Sequence, residues 1–107
     1  MPLEQDSWEQ LTGWLNRERE LTLSRGKPFL ARFDRVANEL TFTPSETGIE
    51  RRVGREEWNR FVARFNEIER SGYDPLRPGH YPRVTFNSSY LVSVTTGAGL
   101  TNSRTRR

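Results

Sequence analysis

One histidine and no cysteine among 107 residues bound the chemistry this chain can perform. A thiolate nucleophile and a disulfide framework are excluded, and a zinc site would lack its usual ligands. His80 is the one imidazole able to act as a general base near neutral pH. It stands in the loop Pro78-Gly79-His80-Tyr81-Pro82, and the nearest acid able to orient it is Asp74. A histidine in such a loop more often makes a local hydrogen bond than abstracts a proton. No glycine-rich phosphate loop precedes a helix, because Gly97-Ala98-Gly99 lies near the end in a run of Thr, Ser and Asn. We assign no catalytic residue, no metal and no cofactor. The expectation is a binding module rather than an enzyme, with activity through His80 as the least favoured alternative.

The other residues that could carry chemistry are cations. Lys and Arg total 17 against 14 Asp and Glu, for a net charge of +3, and Lys27 is the only lysine. The planar fork of arginine suits phosphate and carboxylate recognition, although codon usage alone can produce the same bias. The charge is unevenly placed. Residues 1–20 hold two arginines against five acids, whereas Arg104, Arg106 and Arg107 account for the whole excess and leave residues 1–103 neutral. Arg32 and Arg52 are expected on one exposed sheet face, intermixed with Asp34, Glu39 and Glu50. Arg77, Arg83 and the tail arginines form a possible second cluster. These seven arginines are the candidate nucleic-acid contacts. The rival reading is a protein partner or a homo-oligomer, held through any of Trp8, Trp14 and Trp58 that is exposed.

The elements that would position these residues follow from hydrophobic spacing. Twelve aromatic residues compensate for an apolar content of only 33%, so a folded chain is expected to about Val94. Ser7 and Gln10 have the spacing of a capping box, and Trp8, Leu11 and Leu15 share one face, which predicts a helix over 7–19. The period then falls to two. Leu21 and Leu23, then Phe29, Ala31 and Phe33, then Leu40 and Phe42, then Ile49, Arg51 and Val53 alternate with their neighbours between turn sequences. That predicts an antiparallel meander of three or four strands. Trp58, Phe61, Val62, Phe65 and Ile68 form a full helical stripe over 55–70, stopped by Ser71-Gly72.

Three prolines over 75–82 enforce a loop. Beyond it, Asn87-Ser88-Ser89 favours a short helix carrying Tyr90, Leu91 and Val94, although the β-branched residues also allow a strand. The fold class is therefore α+β: an N-terminal helix, a meander sheet, a long amphipathic helix packed on one face, a proline-rich loop and a short C-terminal helix. One domain is expected over 1–94 and a disordered basic tail over 95–107. No signal peptide or membrane span is apparent, which implies a cytoplasmic protein without a membrane partner.

The succession of a meander, a helix opening Arg55-Glu56-Glu57-Trp58, then Arg77-Pro78-Gly79-His80-Tyr81 and Asn87-Ser88-Ser89-Tyr90-Leu91 resembles small uncharacterised bacterial modules. Some of those are joined to restriction-type proteins and others are orphans on mobile gene cassettes. The resemblance spans about residues 20–94 and implies DNA-associated biology. It carries no catalytic residues over. Nucleic acid thus stands slightly ahead of a protein partner.

Overall fold

Residues 3 and 7–100 are described by the computed structural model. Helix α1 (Ser7–Trp14) leads into strands β1 (Arg19–Thr22), β2 (Pro28–Asp34), β3 (Glu39–Pro44) and β4 (Arg51–Gly54). Helix α2 (Arg55–Arg70) follows, then a single 3₁₀ turn at Pro78–His80, then helix α3 (Ser88–Gly97). The four strands pair antiparallel in sequence order, as the alternating pattern predicts.

Register explains the two faces of the sheet. Ala31 lies opposite Phe42, and Phe33, Leu40 and Val53 form one cross-strand row. These residues, with Phe29, turn to the core, where all but the half-buried Phe33 are fully buried. The alternate residues, Arg32, Thr41 and Arg52, form a row on the opposite face. One apolar face and one polar face is the normal economy of an antiparallel sheet covered on one side.

All three helices share the apolar face. Trp58, Phe61, Phe65 and Ile68 of α2 are buried in the same core as the strands. The rings of Phe29 and Phe42, however, are met by Tyr90 of α3, and Phe33 is met edge-on by Trp8 of α1. Helix α2 stops at the expected place. Gly72 adopts φ +87°, the Gly72 N–H reaches the Glu69 carbonyl and the Tyr73 N–H reaches Ile68, a Schellman closure.

Three expectations are corrected. Helix α1 ends at Trp14 rather than residue 19, because the Leu15 carbonyl accepts the Phe33 N–H and Arg19 already pairs with Ala31 in the sheet. Strand β4 begins at Arg51, and Ile49 precedes it with 69% of its surface exposed. The segment after Asn87 is helical, and it does not stop at Val94. Helix α3 runs to Gly97, Thr95 is fully buried, and its hydroxyl donates to the Leu91 carbonyl at 2.7 Å. A Cβ at Gly97 would stand 3.0 Å from the Trp14 ring, so this glycine serves close packing rather than a linker. The tail arginines Arg104, Arg106 and Arg107 lie outside the described residues.

Phe65 tests the core. It is fully buried and packs beside Phe61, so Phe65→Ala removes a ring and leaves a cavity. The expected loss is about 3–5 kcal/mol in urea unfolding, and a loss below about 1 kcal/mol would contradict this packing.

Candidate functional site

The first arginine group sits where the alternation puts it, on the open sheet face, but it is neutralised there. Arg52 contacts Asp34 at 3.1 Å, Glu39 at 3.2 Å and Glu50 at 3.3 Å, and Arg32 approaches Glu50 at 3.8 Å. Two guanidiniums therefore face three carboxylates. Between them Thr41 is buried, and its hydroxyl donates to the Arg32 carbonyl at 3.4 Å. This is how long arginine stems cover a sheet that no helix covers. Asp34 does double duty. Its Oδ1 accepts the N–H groups of Ala37 and Val36, and its Oδ2 meets Arg52. The Ala37 N–H and then the Arg52 guanidinium hold its carboxyl below the usual value of 3.8.

The loop residues divide differently. Asp74 does not orient His80. Its Oδ1 accepts the Leu76 N–H at 2.9 Å, while the His80 ring lies 6.0 Å from that of Tyr73 and its carbonyl accepts from Arg64 Nε. Tyr81, next in the chain, stacks on Phe61 and donates its hydroxyl to the Pro75 carbonyl. Burial pushes that phenol far above its ordinary value, so it stays protonated. Among the described residues no group of three His, Cys, Asp or Glu side chains could hold a metal. No helix there is long and apolar enough to cross a membrane.

Arg83 occupies a distinct place. With Arg60, Glu57, Val84, Thr85 and Phe86 it borders a hollow of about 230 Å³ between α2 and the loop that leads into α3. Neither Arg60 nor Arg83 forms an ion pair among the described residues. Arg77 is exposed but does not line this hollow.

The loop wall is tightly fixed. Thr85 Oγ1 donates to Glu57 Oε2, and Asn87 Nδ2 donates to the same oxygen at 3.1 Å. The Asn87 N–H returns to Thr85 Oγ1 at 2.9 Å, and Arg51 donates to Asn87 Oδ1 at 3.4 Å. Arg83 itself has φ +69°, a left-handed conformation that costs a non-glycine residue roughly 1–2 kcal/mol. Phe86 is 95% exposed. The left-handed backbone of Arg83 and the exposed ring of Phe86 thus fall in one hydrogen-bonded loop, and Asn38 between β2 and β3 is the other described non-glycine residue with a positive φ, +58°.

The sequence singled out Arg83 and missed Arg60, Glu57 and Phe86. Arg60 reads as outer helix face, and Phe86 stands just before the short helix without an assigned role. Trp8 and Trp58 are buried at 3% and 1% exposure, and half-buried Trp14 is covered by Arg19, whose guanidinium lies 4.5 Å from the ring centre. Phe86 and Tyr73 are the well-exposed aromatics among the described residues. Comparison of the chain with protein-family models, curated proteins and solved structures finds no match.

Two measurements probe these features. Arg83→Gly relieves the left-handed strain and returns part of the gain as unfolded-state entropy, so unfolding should become harder by about 0.5–1 kcal/mol. Destabilisation instead would mean that the Arg83 side chain holds the loop. The Asp34 contribution to stability should be present above pH 3.8 and fade as pH falls further, through the lowered pKa of the folded state. The difference in urea midpoint between the wild type and Asp34→Asn should therefore shrink on acidification below that value, and a constant difference would exclude the shift.

Proposed function

We propose that this chain is a small nucleic-acid-binding module rather than an enzyme, and that its contact surface is the α2–loop hollow instead of the open sheet face. The observation that carries this reading is that Arg60 and Arg83, neither in an ion pair among the described residues, border one concavity. Arg32 and Arg52 already have carboxylate partners, and a phosphate would have to displace them. A guanidinium with no partner binds phosphate without that competition. Arg77 adds a further exposed cation, and the sequence adds Arg104, Arg106 and Arg107 beyond the described residues. The resemblance to modules associated with restriction-type proteins points the same way.

The rival reading is a protein partner or self-association. Its anchor would be Phe86, since Trp8 and Trp58 are buried. Salt dependence separates the two. Labelled DNA and RNA are titrated at about 50 and 200 mM salt with the wild type, Arg60→Gln/Arg83→Gln, Arg32→Gln/Arg52→Gln, and a chain lacking 104–107. Phosphate-driven binding falls steeply with salt, and each lost contact reduces the slope by about one. The hollow pair and the tail deletion should flatten the slope, while the sheet pair leaves it unchanged. No binding to either nucleic acid at the lower salt, with a dimer in solution, overturns the reading.

A further inference from the structure

We propose that the hollow takes an unpaired base of a single-stranded nucleic acid, stacked on the Phe86 ring with its flanking phosphates on Arg60 and Arg83. This names the ligand class of the reading above and rests on it. Glu57 Oε2 draws Thr85 and Asn87, the residues on either side of Phe86, toward the body of the protein. The Thr85 N–H reaches back to the Tyr81 carbonyl, and the Asn87 carbonyl accepts the Leu91 N–H in the first turn of α3. With both neighbours tied inward, the side chain between them projects outward. The 95% exposure of Phe86 therefore belongs to a fixed loop and not to slack in the chain.

An outward ring that borders one hollow with two guanidiniums, neither in an ion pair among the described residues, has the parts of a single-strand platform: a π-face for the base and cations for the backbone. Val84, half-buried, adds apolar surface to the wall of the hollow. Glu57 contributes one negative charge to the rim, with one oxygen already taken by two donors. This arrangement places phosphates toward the arginines and leaves the ring side for the base. A duplex cannot use such a platform equally, because its bases are stacked on each other and present edges rather than faces.

The test compares a labelled single-stranded oligonucleotide of mixed sequence with the same sequence as a duplex, at about 50 mM salt. It uses the wild type, Phe86→Leu, Phe86→Trp and Arg60→Gln/Arg83→Gln, with folding checked by circular dichroism. The single strand should bind more tightly than the duplex. Phe86→Leu should weaken single-strand binding by about 5- to 100-fold without changing its salt slope, and Phe86→Trp should restore it. The arginine pair should flatten the slope instead. A duplex bound as tightly as the single strand, with Phe86→Leu neutral, overturns this inference while the nucleic-acid reading stands. Failure of both forms to bind removes the nucleic-acid reading itself. A dimer that dissociates in Phe86→Leu assigns the ring to a second copy of the chain.

Discussion

Tyr90 lies flat on Phe42, with 5.5 Å between ring centres, and edge-on to Phe29 at 5.0 Å. Through this three-ring contact helix α3 is fastened to the middle of the sheet, and the remaining architecture follows from that fastening. With α2 carrying the sheet's chain onward from β4 and α3 held by Tyr90, the segment 71–87 must span two fixed points. Its middle is anchored by Tyr81, stacked on Phe61 with its hydroxyl on Pro75, and its end by the Glu57 hydrogen bonds. Arg51 ties the two systems together, because its guanidinium lies over the Tyr90 ring and also donates to Asn87. The loop geometry is thus a consequence of aromatic packing several residues away.

The elements legible in the sequence are those set by local periodicity. The stripe of Trp58, Phe61, Phe65 and Ile68 fixes α2, and alternation fixes the strands and the shared face of Arg32 and Arg52. What escaped depends on register and on contacts distant in sequence. The three acids near those arginines were visible, but their pairing needs the row Arg32–Thr41–Arg52, which only the strand register supplies. Ser7 reads as a helix cap, yet its hydroxyl accepts the Trp58 indole N–H at 3.2 Å, across 51 residues. Arg51 occupies a core-face position in the alternation, where an apolar residue would be expected. It is accommodated because β4 is an edge strand and Tyr90 and Asn87 receive its head group.

Arginine enrichment also means something different on the two surfaces. On the sheet it serves the fold. Arg52 knits three carboxylates, and exposed ion pairs of this sort add little stability individually. Their larger effect is to cover Thr41 and to keep the uncovered sheet face charged. Beside α2 the guanidiniums of Arg60 and Arg83 have no such partners among the described residues. A count of charges along the chain cannot distinguish these situations, because residues 1–103 sum to zero while the local environments differ.

The loop that carries Arg83 and Phe86 is the part of the molecule with most opposition between local preference and global structure. Elsewhere most local signals agree: a glycine closes α2, apolar stripes face the core, and Asn38, the other described non-glycine residue with a positive φ, is of a type that tolerates it. Here a non-glycine residue adopts a left-handed backbone and a large ring stays in water. Sequences generally satisfy local and global demands together, and departures concentrate at sites retained for another purpose. The hydrogen bonds from Thr85, Asn87 and Arg51 hold these two departures in place, and both residues border the same hollow with Arg60. Scattered exposed apolar residues need no explanation, and Val36 in the β2–β3 turn is one. Phe86 differs in that both its neighbours are hydrogen-bonded to Glu57 and that it borders a hollow with two arginines that form no ion pair among the described residues, and the proposed site rests on that combination.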